Sequence, residues 1–148
     1  MEKKANNEDK IMWKVMIVDD EKLICKLVQA LVEWDKLGMQ MAAQAENAIQ
    51  ALDMLQQYRP DILITDIRMP GMDGLELIKN AKKICPELEI IIISGYAHFE
   101  YARNALSLGV GNYLLKPIKQ DELNETLRKI GERLDAKKSA QGMEMAER

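Results

Sequence analysis

Ile90-Ile91-Ile92-Ile93-Ser94 is a run of four β-branched apolar residues that ends on a hydroxyl. Successive strand side chains point to opposite faces, so this run puts apolar groups on both. That suits a parallel strand covered by helices above and below, and not a half-solvated antiparallel one. Outward from it, three further runs end in the same manner. Met16-Ile17-Val18 leads into Asp19-Asp20, Ile62-Leu63-Ile64-Thr65 into Asp66, and Tyr113-Leu114-Leu115 into Lys116. Ligands of an open parallel α/β sheet bind in the crevice outside the carboxyl ends of its strands. Three acids, one hydroxyl and one ammonium are therefore expected to converge on one pocket.

Helical patterns separate these strands. Leu23, Ile24, Leu27, Val28 and Leu31 repeat with a 3.6-residue period and predict a helix over 21–34, with Asp20 as its N-cap. Gly38 breaks the chain before a weak second strand over 39–44. Asn47 is placed to cap a second helix carrying Ala48, Ala51, Leu52 and Leu55, which stops before Arg59-Pro60. A third strand over 61–65 is followed by Arg68-Met69-Pro70-Gly71-Met72-Asp73-Gly74, dense in turn residues. Further helices are expected over 75–84 and 98–108, the latter ending at Gly109. A fifth strand covers 112–115, and a last helix from about 120 carries Leu123, Leu127, Ile130 and Leu134. Five βα units imply an α/β fold with a doubly wound five-stranded parallel sheet, because parallel neighbours need helical crossovers. The last four apolar residues also fit a coiled-coil seam, but too few heptads are present to favour it over packing on the sheet.

Composition narrows the function. The chain has 148 residues, 47% hydrophobic and 30% charged, as expected of one globular domain. A net charge of −3 gives no footprint for direct nucleic-acid binding. No apolar stretch nears the roughly 20 residues that span a bilayer, and the polar start lacks a signal-peptide core, so a cytoplasmic location is expected. Cys25 and Cys85 lack metal-ligand spacing and read as reduced thiols. His98 is the single histidine, which removes His-ligated zinc and Ser-His-Asp chemistry. The ten methionines include Met16, Met39, Met54 and Met69, scattered as packing residues.

The strand ends suggest phosphate chemistry. Asp19, Asp20 and Asp66 in one crevice would raise each other's pKa unless a cation neutralised them. Mg²⁺ meets that need, since it takes one or two carboxylates, keeps waters and bridges phosphate oxygens. Lys116 supplies a point charge for a phosphoryl group, and Ser94 a hydroxyl that can donate to its oxygens. Asp66, between metal and lysine, is the candidate nucleophile for an aspartyl phosphate. Each residue alone has a plainer reading, as helix cap, turn former or loop lysine. Those readings would have to hold together at four strand ends.

Val18-Asp19-Asp20-Glu21, the Asp66 to Gly74 segment, Ser94-Gly95 and Tyr113-Leu114-Leu115-Lys116-Pro117 resemble the receiver domain of bacterial two-component response regulators. The resemblance covers about 12–134, with all motifs in the family's order. It implies a flavodoxin-like sheet of order 2-1-3-4-5 and phosphotransfer from a histidine kinase to Asp66 with Mg²⁺. Asp19 and Asp20 match the acid pair that organises the metal, with the Arg68 backbone carbonyl as a further ligand. Ser94 and Lys116 match the residues that engage the phosphoryl group, and Ser94 with Tyr113 the switch pair. Lys116-Pro117 matches a bond that is usually cis. By the same analogy, Arg68 and Tyr96 flank the approach of a hydrolytic water and set the lifetime of the phosphorylated state. Homodimerisation or output-domain contact is expected through the fourth helix, fifth strand and fifth helix, including Tyr101 and Arg103. The stretch Ser94 to Ala102 is similar to regulators whose output is an AraC-type DNA-binding module.

The resulting layout is a polar extension over 1–11, a receiver domain over 12–134 and a polar linker or tail over 135–148. The full-length protein is expected to control transcription through its own output domain. An aspartate-nucleophile phosphohydrolase of the haloacid-dehalogenase type is the rival enzyme. It wants a second Asp two residues after the nucleophile, where this chain has Arg68. A receiver-like module that is never phosphorylated is the third reading, and the intact set of five site residues argues against it.

Overall fold

The computed structural model describes residues 12–95, 103–105 and 107–147. The strands are β1 (Trp13–Val18), β2 (Met39–Ala45), β3 (Ile62–Thr65), β4 (Glu89–Ser94) and β5 (Asn112–Leu115). They form one sheet of order β2-β1-β3-β4-β5 with all neighbours parallel, the flavodoxin-like arrangement. The helices are α1 (Lys22–Leu31), α2 (Ala48–Tyr58), α3 (Gly74–Ile84) and α5 (Gln120–Glu147). A one-turn helix, Trp34–Leu37, follows α1. Residues 103–105 and 107 are helical and are termed α4; of the fourth helix expected from sequence, 98–102 and 106 lie outside the described residues and Leu108 is in the turn that follows.

The isoleucine run explains the layering. Ile90 and Ile92 enter a core with Met16, Val18 and Leu63, covered by Ala51 and Leu55 of α2 and Leu77, Ile78 and Ala81 of α3. Ile91 and Ile93 enter the opposite core with Val15, Ile17, Ile62 and Ile64, covered by Cys25 and Val28 of α1 and by α5. Leu123, Leu127, Ile130 and Leu134 are all buried there, so the apolar stripe of α5 packs on the sheet.

Three local expectations need correction. Leu23 and Leu27 belong to the apolar period of α1 yet are 78% and 40% exposed, because the face that packs runs through Ile24, Cys25, Val28 and Leu31. The helix also stops at Leu31, where Val32 turns extended, and Trp34 belongs to the separate short helix. Asp20 does not cap α1: Glu21 takes the N-cap position without a side-chain bond, and Asp19 Oδ1 accepts the Glu21 N–H instead.

Other boundaries agree. Gly38 sits at φ 68°, the left-handed conformation that ends a helix cheaply only with glycine. Asn47 accepts the Gln50 N–H at the start of α2, and Asp73 does the same for Glu76 at the start of α3. After Leu134 the polar segment is not set apart as irregular chain; it continues α5 to Glu147. Two contacts tie that helix to the sheet's amino-terminal edge: Trp13 Nε1 donates to Asp135 at 2.9 Å, and Arg133 to Glu89 at 2.6 Å. A third, Lys137 to Glu87 at 3.4 Å, reaches the adjoining loop. Among the described residues, no helix is long and apolar enough to cross a membrane.

Candidate functional site

Register brings the site together. Val18 pairs with Thr65 across β1 and β3, and Ser94 with Leu115 across β4 and β5. The backbone ladder then runs one residue further: Asp19 N–H donates to Ala45, Asp66 N–H to Val18 and Lys116 N–H to Ser94. Asp19, Asp66 and Lys116 thus leave the same edge of the sheet. The Lys116–Pro117 peptide bond is cis.

Asp66 is almost fully buried, and both its oxygens are engaged. Oδ1 accepts the Ile67 N–H at 2.6 Å and the Arg68 N–H at 3.4 Å, while Oδ2 accepts Lys116 Nζ at 3.1 Å. The same ammonium lies 3.6 Å from Asp19 Oδ2 and 3.9 Å from Glu21 Oε1. Burial is the largest single influence on Lys116 and disfavours its charge. The bond from Asp66 and the charges of Asp19, Asp66 and Glu21 together outweigh it, holding the ammonium above its ordinary range.

Asp19 is the strained member. Burial pushes its carboxyl up to about 6, against the bond from Glu21 N–H and the charge of Lys116, and Asp66 and Asp20 push the same way as burial. Oxygens of Asp19, Asp20 and Asp66 all lie within 4.8 Å of one another, with Asp20 exposed to solvent. One lysine does not offset three acids at this spacing. An all-oxygen donor set with one solvent-open member fits a hard divalent ion that retains waters.

The remaining residues singled out from sequence differ in their burial. Ser94 is fully buried at the end of β4, one strand from Asp66. Arg68 is exposed, with its N–H turned toward Asp66. Tyr113 packs against the core that holds Ala105 and Leu108, and its buried hydroxyl has no hydrogen-bond partner among the described residues. Tyr96 and Tyr101 lie outside the described residues. Sequence reading missed Glu21 as a third carboxylate on Lys116, although it directly follows the acid pair. It also missed the Thr65 hydroxyl, which donates to the Asp66 carbonyl at 2.8 Å.

The family model described as the response regulator receiver domain matches residues 15–128. The uncharacterized transcriptional regulatory protein YesN of Bacillus subtilis is 40% identical over 119 residues, covering 80% of this chain and 32% of that protein. The transcriptional regulatory protein HptR of Staphylococcus aureus is 32% identical over 135 residues, covering 91% of this chain and 53% of that protein. The chain therefore spans a third to a half of these relatives. Among solved structures, the receiver domain of AraT from Geobacillus stearothermophilus aligns with a TM-score of 0.83 at 38% identity, covering 86% of this chain and 99% of that one. A two-component transcriptional regulator AraC from Clostridium phytofermentans aligns at 0.75 and 35%, covering 80% and 92%.

Proposed function

Because this chain belongs to the response regulator receiver domain family, we propose that it accepts a phosphoryl group on Asp66 from a histidine kinase, with Mg²⁺ bound by its acids. The observation that carries this reading is the geometry of Asp66. It is buried, tied through Oδ1 to its own loop, and held through Oδ2 by an ammonium shared with Asp19. A carboxylate fixed in this way meets an incoming phosphoryl group in one orientation, which favours its role as nucleophile.

In the proposed step, an Asp66 oxygen forms a bond to phosphorus while the bond from phosphorus to the kinase imidazole nitrogen breaks; the imidazole, already protonated on its other nitrogen, keeps the bonding pair and departs neutral. Lys116 exchanges part of its contact with Asp66 for the incoming phosphoryl oxygens. Ser94, one strand away, donates its hydroxyl to another of them. Asp19, Asp20, Asp66 and the Arg68 carbonyl would hold Mg²⁺, which would supply positive charge against the acids and the transferred group. Arg68, exposed at the mouth of the site, is assigned with Tyr96 to slowing access of hydrolytic water.

Output follows from movement of Ser94 toward the phosphoryl group, with Tyr113 taking up the vacated space and altering the surface of α4, β5 and α5. An output domain, or a second copy of the receiver, is the partner we assign to that surface, with control of transcription as the result in the full-length protein. The receiver is in this reading a signalling domain whose chemistry is its own phosphorylation and dephosphorylation.

Incubation with acetyl phosphate and Mg²⁺, followed by mass spectrometry, tests the acceptor. The parent chain should gain one phosphoryl mass, and Asp66→Asn should gain none. An adduct of full yield on the variant would move the acceptor to another residue.

A further inference from the structure

We infer that Gly74 and Thr65 are positioning residues that fix the main chain of Asp66 and, through it, the carboxylate. This deepens the proposed function and rests on it. Asp66 Oδ1 is bonded to the N–H of Ile67, so the carboxylate cannot be placed independently of the 66–67 peptide. Two groups hold that peptide. From below, the Thr65 hydroxyl donates to the Asp66 carbonyl at 2.8 Å. The second is Gly74, the first residue of α3: it lies against the Asp66 carbonyl and Ile67 Cα, and its N–H fixes the next peptide by donating to the Ile67 carbonyl at 2.7 Å.

The contact tolerates no side chain. A Cβ on Gly74 would stand 2.4 Å from the Asp66 carbonyl oxygen and 2.7 Å from Ile67 Cα, both main-chain atoms. Neither can yield as a flexible side chain would. Gly74 has no left-handed backbone torsion to account for glycine here, unlike Gly38, Gly71 and Gly109. Its lack of a side chain is therefore used for close approach, which closes the 67–73 loop onto the acid that begins it. An alanine must push the 66–67 peptide or α3 away by about an ångström, a displacement large enough to matter at a reacting centre. The shift would draw the Asp66 carboxylate off the position at which it converges with Asp19 and Asp20.

The test compares three variants with the parent. Gly74→Ala removes the close approach. Thr65→Val keeps the shape of the buried side chain and removes the hydroxyl. Gly38→Ala strains a left-handed glycine far from the site and has open space around it, so it serves as a destabilised control. Two quantities are read: Mg²⁺ affinity by calorimetric titration with MgCl₂ alone, and the rate of phosphorylation by acetyl phosphate at saturating Mg²⁺. Gly74→Ala should weaken Mg²⁺ binding about tenfold or more and slow phosphorylation by a similar factor. Thr65→Val should weaken both by about threefold. Gly38→Ala should match the parent in both while melting at a lower temperature.

Should Gly74→Ala fail to fold, Thr65→Val decides alone. A competent parent whose folded position-65 and position-74 variants titrate and react as it does overturns this inference and leaves the function standing. A parent that takes neither Mg²⁺ nor phosphoryl overturns the function, and the inference with it.

Discussion

The two ends of the sheet spend their charged residues in opposite ways. At the carboxyl end, Asp19 and Asp66 are buried, Asp20 stands beside them, and one ammonium is shared among Asp19, Asp66 and Glu21. At the amino end, Arg133 meets Glu89 and Lys137 meets Glu87, each pair one to one and open to solvent on at least one side. The second arrangement satisfies its groups and gains little, since exposed ion pairs are worth about 0–1 kcal/mol. The first leaves like charges together in a dry place, where they cost stability until something positive arrives.

Removing the shared cation should show the largest effect. Lys116→Met leaves two buried carboxylates without their counter-ion, and in Mg²⁺-free buffer should lower unfolding free energy by about 2–4 kcal/mol. Urea denaturation measures it. A loss below about 0.5 kcal/mol would mean that the two ends do not differ as described.

The next effect has the opposite sign. Asp19 is held up at about 6 from 3.8. Below the lower value both folded and unfolded chains are protonated, and the carboxyl costs nothing. Between the two values the unfolded chain ionises first, so stability falls as pH rises, and above about 6 the full penalty is present. Asp19→Asn should therefore be more stable than the parent at pH 7 without Mg²⁺, by roughly 1–3 kcal/mol. The advantage should fade as the buffer is taken toward pH 4. A difference that stays constant across that range would remove the titration from the account.

The smallest effect belongs to the other end. Replacing both Arg133 and Lys137 with Ala should change stability by less than about 1 kcal/mol, and by less still in high salt. A loss comparable to that of Lys116→Met would make the amino edge a structural anchor in its own right.

Sequence and structure part company where contact across the fold replaces local pattern. Ile90 to Ile93 announced a strand buried on both faces, and the structure places two of them in each core. β5 was legible to the residue, bounded by Gly111 and Lys116. β2 was the weakest strand to read because its ladder with β1 slips between Val15 and Met16, where Ala42 is passed over. A slip of one residue breaks the period of two on which strand reading depends. The break after Leu31 was hidden because Val32 and Trp34 prolong the apolar pattern of α1. At the site, Asp19, Asp66 and Lys116 were legible as polar residues closing apolar runs. Glu21, Thr65 and Gly74 were not, since what each does depends on a distance to main-chain or side-chain atoms of another segment. Local sequence reports the chemistry of a side chain but not the space around it.

One consequence of α5 concerns angle. Its 28 residues make a rod of about 40 Å, roughly twice the length of six-residue β4, so it overshoots the sheet it packs on. Each residue of such a rod turns the next by about 100° and advances it 1.5 Å. The buried stripe through Leu134 fixes the rotational setting of the packed half, and the polar half carries that setting outward to Glu147. Inserting one residue after Lys138 would leave the contacts of Arg133, Asp135 and Lys137 intact and swing the helix beyond it about a quarter of a circle.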